Sequence, residues 1–240
     1  MNEEKHLDEN SKHALQSDNI IAITNRHLCS RPFMEQLERV CKLHPHAIVL
    51  REKDMLEAEY LSLARDVIAL CKKYDVQCML HSFINVAMEL EHPYIHLPLP
   101  ILEAYVKKNM SGNISTDMSK NTDHYQQFFK VIGTSVHSVE DAIRAEQLGA
   151  TYMTAGHIFA TDCKKGLPPR GLDFLKNVCD AVRIPVYAIG GINIASNDDS
   201  TASDAPPAYD AIPDISVPRL AEVMECGAAG GCIMSGMMRV

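Results

Sequence analysis

ATYMTAGHIFATDCKKG, residues 150–166, joins a short apolar run to a polar turn. The run at 150–155 is β-prone and mostly apolar, which is the pattern of a strand buried on both faces, as in a parallel sheet. The segment that follows, 156–166, brings a histidine, a hydroxyl, a thiol and two lysines together. We therefore expect a binding site to open where this strand ends.

The same alternation of short and long patterned segments fills the rest of the chain. Short apolar runs predict strands at 20–24, 47–51, 77–81, 94–97, 130–133, 151–156, 185–190 and 231–235. Longer amphipathic stretches predict helices at 31–43, 56–74, 84–90, 99–108, 138–148, 171–182 and 217–226. Strands that alternate with helices form parallel sheets, because each helix returns the chain to the start of the next strand.

Eight such units predict an α/β fold, a closed (β/α)8 TIM barrel, rather than an open doubly wound sheet. No strand is followed by the Gly-rich dinucleotide fingerprint, and Gly190-Gly191 alone is too weak a signal. The chain stops soon after the eighth strand, so the eighth helix is expected to be incomplete or missing. We expect a disordered extension at 1–19 and a single barrel domain at 20–240, with polar insertions at about 109–123 and 193–213.

Composition narrows the range of partners. A net charge of −8 without a basic run argues against nucleic acid. No apolar stretch approaches the roughly 20 residues that span a bilayer, and the polar N-terminus is unlike a signal peptide, so we expect no membrane contact and a cytoplasmic protein. Eight cysteines lack paired spacing and are read as reduced thiols, Cys163 being set apart only by its place in the loop.

In a barrel, side chains at the carboxyl ends of the strands converge on one pocket. Arg51 and Lys53 follow the second strand and share a face, where they either bind an anionic ligand or pair with Glu52 or Asp54. The loops after the last two strands carry Gly190, Gly191, Ser235 and Gly236. These residues suit a phosphate held by backbone N–H groups, although each glycine alone is equally explained by turn geometry.

Five motifs in order resemble one family. They are R-E-K at 51–53, G-x-S-x-H-S at 133–138, G-H-I-F-x-T-D-C-K-K-G at 156–166, I-P-V-x-A-I-G-G-I at 184–192 and M-S-G at 234–236. Together they are similar to the thiamine phosphate synthase / thiazole tautomerase (TenI) family, from about residue 20 to the C-terminus without the two insertions.

The two branches of that family differ at a few positions, and the residues of this chain at those positions can be compared with each branch. The resemblance implies, for a synthase, magnesium held by aspartates after the third and fourth strands. This chain has His81-Ser82 and Leu-Pro-Leu-Pro-Ile at 97–101 there, and magnesium prefers oxygen ligands. Gly156-His157 with Cys163 in the sixth loop is instead similar to the tautomerase branch.

That branch implies a metal-free isomerase that converts a carboxylated dihydrothiazole phosphate into the aromatic thiazole. His157 would be the general acid/base, because a histidine can accept and then donate a proton within one turnover. His81 and His137 are the other candidates for that role. Substrate contacts would come from Arg51, Lys53, Ser135, Thr161 and Lys164, and phosphate contacts from Gly190, Gly191, Ser235 and Gly236.

Two alternatives stay open. One is a thiamine phosphate synthase, condensing hydroxymethylpyrimidine pyrophosphate with thiazole phosphate, whose magnesium would be held by other ligands such as Glu52 or Asp162. The other is a non-catalytic regulatory barrel that binds thiazole phosphate. We expect no cofactor, with magnesium needed only by the synthase, and a small phosphorylated thiazole as the ligand. The incomplete outer ring leaves a homo-oligomer possible, and the sequence does not settle the oligomeric state.

Overall fold

A computed structural model of the protein describes residues 18–111, 128–161, 164–195 and 216–240. Most of the predicted N-terminal extension, most of both polar insertions, and Asp162 and Cys163 lie outside the described residues. No helix within the described ranges is long and apolar enough to cross a membrane.

Eight parallel strands close into a barrel in chain order, with β1 paired to β8. The strands are β1 (Ile20–Ile23), β2 (Ala47–Leu50), β3 (Gln77–His81), β4 (Tyr94–Pro98), β5 (Val131–Val136), β6 (Tyr152–Gly156), β7 (Val186–Ile189) and β8 (Gly230–Ile233). β1, β2, β6 and β8 are buried at every position. The predicted TIM barrel is therefore confirmed.

Seven helices connect the strands in the described part of the chain. They are α1 (Phe33–Lys42), α2 (Glu57–Lys73), α3 (Ile84–Glu89), α4 (Leu99–Ser111), α5 (Val139–Gln147), α6 (Gly171–Ala181) and α7 (Arg219–Glu225). After β8 the chain forms turns over 235–239. A short 3-10 helix at Arg26–Leu28 was not predicted.

Local signals explain how α5 begins and ends. The side chain of Ser138 accepts a hydrogen bond from the backbone N–H of Asp141 at 3.0 Å, which caps the first turn. Glu140 and Asp141 place negative charge at the positive end of the helix dipole. Gly149 follows the helix at a φ of 87°, a conformation that suits glycine at a helix end.

Two apolar layers hold the barrel together. The larger lies between the sheet and the helices and includes Leu37, Val40 and Val67. The smaller fills the barrel interior and includes Met79, Tyr152 and Tyr187. Since the interior is packed with side chains, the available space lies at the carboxyl ends of the strands.

Candidate active site

A cavity of about 500 Å³ opens at the carboxyl ends of the strands. It collects nine of the ten site residues expected from the sequence, namely Arg51, Lys53, Ser135, His157, Thr161, Lys164, Gly190, Gly191 and Ser235. Gly236 is not part of the lining. A Cβ there would lie 3.2 Å from side-chain atoms of Ile194 and Ile233, so this glycine packs behind the wall. His81 and His137 line the cavity as well.

His157 stands where β6 ends. Its Nε2 is buried and has no hydrogen-bond partner among the described residues. The peptide groups on either side are held in place, because Gly156 accepts a bond from His137 Nδ1 at 2.8 Å and the His157 carbonyl accepts one from the N–H of Arg170 at 3.0 Å. A buried ring nitrogen without a partner costs about 1–3 kcal/mol. A ligand in the cavity can supply the missing partner.

The backbone after β7 touches this histidine. Gly190 has a φ of 100°, and a Cβ at that position would lie 2.4 Å from the Cβ of His157. Only a residue without a side chain allows this approach and this backbone conformation. Gly190 therefore allows the backbone after β7 to pack directly against His157.

Three cations share one side of the cavity. Arg51, Lys53 and Lys164 form no ion pair with any carboxylate of the described residues. Burial lowers the pKa of Lys53, and the charges of Arg51 and Lys164 lower it further. Like charges gathered in a partly buried place favour an anionic ligand.

The acidic residues near these cations have another partner. Arg26 bonds Glu52 at 3.0 Å and Asp54 at 2.6 Å, so the pairing of Arg51 or Lys53 with these acids, left open on sequence grounds, is wrong. Glu52 is 2% exposed and also accepts a 2.6 Å bond from the hydroxyl of Thr24. Arg26 follows β1, and Glu52 and Asp54 follow the neighbouring strand β2 at the same end of the barrel. This adjacency of the two strand ends could have predicted the pairing from the sequence. The carboxylate of Glu52 therefore joins the ends of β1 and β2 through these bonds and is not free to hold a metal ion.

His96 is a site residue that the sequence analysis missed. It lies near the carboxyl end of β4, is 4% exposed and lines the cavity beside His81, with the two ring centroids 5.7 Å apart. Burial is the main cause that lowers the pKa of His96 to about 3 and that of His81 to about 2, and the charges of Arg51 and Lys53 contribute to both values. Both imidazoles are therefore neutral near neutral pH.

Polar partners surround His96. Its Nδ1 lies 2.8 Å from the hydroxyl of Tyr152 and its Nε2 lies 2.9 Å from the hydroxyl of Ser135. Thr154 donates to the same serine oxygen at 3.0 Å. A continuous buried chain of polar groups thus runs from the barrel interior to the cavity wall.

The loops after β6 and β7 pack closely on the opposite side. Gly191 has a φ of 70°, and a Cβ there would lie 2.6 Å from the carbonyl oxygen of Ala160. Arg219, at the start of α7, donates to the Gly191 carbonyl at 2.9 Å and stacks over the ring of Phe159 at 4.3 Å. The arrangement turns this carbonyl towards Arg219. Close packing accounts for the glycines, so a phosphate at this place remains a proposal.

The magnesium ion implied by the synthase branch does not fit the described residues. They contain no group of three or more His, Cys, Asp or Glu side chains able to hold a metal. Asp141 is the one carboxylate in the described lining of the cavity, and one of its oxygens already accepts a bond from the N–H of His137. Magnesium demands several oxygen ligands, whereas the ends of β3 and β4 offer two imidazoles.

Comparisons with known proteins agree on one group of relatives. A family model described as thiamine monophosphate synthase matches residues 20–237. The putative thiamine-phosphate synthase 2 of Aquifex aeolicus is 35% identical over 173 residues, which is 72% of this chain and 84% of that protein. The thiamine-phosphate synthase of Caldanaerobacter subterraneus is 29% identical over 175 residues, 72% of this chain and 75% of its own.

A solved structure shares the fold. The thiamine phosphate pyrophosphorylase from Pyrococcus furiosus superposes with a TM-score of 0.64 at 24% identity, covering 93% of this chain and 89% of that one. At this identity the likeness concerns the barrel and its connections, not the chemistry of the cavity.

Proposed function

This chain belongs to the thiamine monophosphate synthase family, and from that premise we propose that it is a thiazole tautomerase. The reaction would convert a carboxylated dihydrothiazole phosphate with an exocyclic double bond into the aromatic thiazole carboxylate phosphate. The observation that carries the proposal is the buried Nε2 of His157, which has no hydrogen-bond partner among the described residues, in a cavity whose cations pair with no carboxylate of that part of the chain.

The reaction needs one proton to move between two carbons. His157 would take a proton from the ring and return it to the exocyclic carbon, with no net oxidation and no leaving group. Arg51 and Lys53 would hold the carboxylate and stabilise the negative charge that develops on the ring during proton removal. Backbone N–H groups near Gly191 and Ser235 would hold the phosphate. The acid that protonates the exocyclic carbon would be the same His157 imidazole, in the protonated form that the first step produces.

A second candidate is favoured by the names of the relatives, which are called thiamine-phosphate synthases. That enzyme would join a pyrimidine pyrophosphate to a thiazole phosphate. The described lining does not suit the magnesium ion that this condensation is expected to need, because imidazoles stand where carboxylates would be required. We therefore place the synthase second.

The test follows the dihydrothiazole tautomer by NMR in D2O, with and without a chelator. We expect conversion that the chelator leaves unchanged and deuterium on the exocyclic carbon of the product. His157→Gln should lower kcat about 10²–10⁴-fold, as loss of a positioned acid/base does. His46→Gln is the matched control, because His46 is exposed and precedes β2 at the other end of the barrel.

Three results would decide against the proposal. Unchanged turnover in His157→Gln would remove the assigned residue. Magnesium-dependent release of pyrophosphate from the two condensation substrates, with no tautomerisation, would establish the synthase. Tight binding of the thiazole without proton exchange would instead identify a regulatory barrel.

A further inference from the structure

The polar chain from Tyr152 to Ser135 depends on the register of three strands. His96 of β4 pairs with Gly133 of β5, and Gly133 pairs with Tyr152 of β6. A Cβ at Gly133 would lie 2.1 Å from Cζ of Tyr152. The tyrosine ring therefore crosses β5 through the space that this glycine leaves, and its hydroxyl reaches His96 Nδ1 at 2.8 Å.

The position of the imidazole proton follows from what the tyrosine can do. Burial raises the pKa of Tyr152 and lowers that of His96, so both groups are neutral and the imidazole carries one N–H. Within the described residues the one hydrogen-bond partner of the Tyr152 hydroxyl is His96 Nδ1. If Nδ1 carried the proton, the buried tyrosine O–H would have no acceptor, which carries the full cost of desolvation. Tyr152 therefore donates to Nδ1, and the imidazole proton lies on Nε2.

The serine at the cavity wall then has both acceptor positions filled. His96 Nε2–H donates to Ser135 Oγ at 2.9 Å. Thr154 is 2% exposed, and Ser135 Oγ, 3.0 Å away, is the one acceptor that the described residues offer its hydroxyl proton, so Thr154 donates to the same oxygen. A hydroxyl has two acceptor positions and one donor. No described residue accepts the Ser135 proton, and Ser135 lines the cavity. Its O–H is thus left to donate to whatever the cavity binds.

We propose that Tyr152 and His96 are positioning residues that fix Ser135 as a hydrogen-bond donor, so that the cavity selects ligands with an acceptor at this point. A carboxylate oxygen or an unprotonated ring nitrogen satisfies the requirement, and an N–H group does not. Naming a thiazole carboxylate as the ligand rests on the proposed function, but the direction of donation does not.

The first test needs no ligand. NMR of protein labelled with ¹⁵N-histidine reports which nitrogen of His96 is protonated. We expect the Nε2–H tautomer in the wild type and a shift towards Nδ1–H in Tyr152→Phe, which keeps the ring and removes the hydroxyl. Tyr187→Phe is the matched control, because Tyr187 is another barrel tyrosine and its hydroxyl has no hydrogen bond to a described residue. An Nδ1–H tautomer in the wild type would overturn the proposal.

The second test measures binding of the aromatic thiazole carboxylate phosphate by titration calorimetry. Ser135→Ala and Tyr152→Phe should each weaken binding about 3- to 10-fold, the usual effect of one hydrogen bond. Because both act on the same bond, adding Tyr152→Phe to Ser135→Ala should change little more. A Tyr152→Phe effect no larger than that of Tyr187→Phe, or full additivity, would refute the role in binding. If the wild type does not bind this thiazole, the proposed function fails, and the tautomer measurement still decides whether Tyr152 and His96 fix Ser135 as a hydrogen-bond donor.

Discussion

Alanine at Gly133 should destabilise the protein because a tyrosine ring occupies the place of the new methyl group. The added Cβ would lie 2.1 Å from Cζ, 2.3 Å from Cε1 and 2.3 Å from the hydroxyl oxygen of Tyr152. Tyr152 is 7% exposed, and its ring meets Tyr187 edge-on with the centroids 6.0 Å apart. The ring therefore has to move against packed neighbours and away from His96.

The size of the effect follows from three contributions. Forcing an extra methyl group into a packed core costs about 1–3 kcal/mol. Loss of the bond from Tyr152 to His96 costs about 0.5–1.5 kcal/mol more. Alanine recovers about 0.5–1 kcal/mol, because glycine loses more chain entropy in a strand. We expect Gly133→Ala to lower the free energy of unfolding by about 2 kcal/mol.

Urea unfolding of four proteins tests the cause as well as the size. They are the wild type, Gly133→Ala, Tyr152→Ala and the double variant. Without the ring, the methyl group has space, so Gly133→Ala in the Tyr152→Ala background should be neutral or stabilising by up to about 1 kcal/mol. If the substitution destabilised both backgrounds equally, the strand backbone and not the tyrosine would be what resists it, and the reasoning would be wrong.

Three further predictions use the same geometry. Burial lowers the pKa of His81 and His96 from 6.5 to about 2 and about 3, so as the pH falls the unfolded chain binds a proton on each imidazole before the folded protein does. The free energy of unfolding measured in urea should therefore be level above pH 6.5 and fall by up to about 1.4 kcal/mol per histidine per pH unit below it. A flat profile down to about pH 4.5 would contradict the burial of these histidines. Gly190→Ala places a Cβ 2.4 Å from that of His157, so tautomer turnover measured by NMR should drop about 100-fold, and a drop of less than about 3-fold would count against a fixed imidazole. Lys53→Met should weaken calorimetric binding of the thiazole carboxylate about 10- to 100-fold yet leave the free protein at least as stable in urea, since it removes repulsion; a loss of both would point to a structural role.

Local patterns in the sequence were enough to predict the barrel. Every predicted strand and helix overlaps an observed one, because strands buried on both faces and helices with one apolar face have different repeats. The same patterns predicted where each strand ends. They therefore also predicted that Arg51 and His157 lie at the carboxyl ends of their strands. The carboxyl ends of all strands of a closed parallel barrel surround one pocket, so no long-range information was needed to place these two residues there.

His96 and Arg26 were missed because their roles depend on residues far along the chain. The partner of His96 is Tyr152, 56 residues away, and the contact exists only because Gly133 lies between them in the sheet. Arg26 acts through Glu52 on the next strand connection. The alternation along β4 does place His96 on the inward face, since Leu97 points to the core between sheet and helices. That rule shows the direction of a side chain, but it does not show which proton it holds.

Burial of His96 fixes the direction of the hydrogen bonds that run from Tyr152 through His96 to Ser135. A protonated imidazole would carry N–H groups on both nitrogens, so Tyr152 would have to accept from Nδ1 and its own buried proton would have no acceptor among the described residues. Burial, together with the charges of Arg51 and Lys53, holds the pKa of His96 near 3, and the doubly protonated ring is therefore avoided at neutral pH. The cations that suit an anionic ligand thus also keep the imidazole neutral, and a neutral imidazole is what leaves the proton of Ser135 free to meet that ligand.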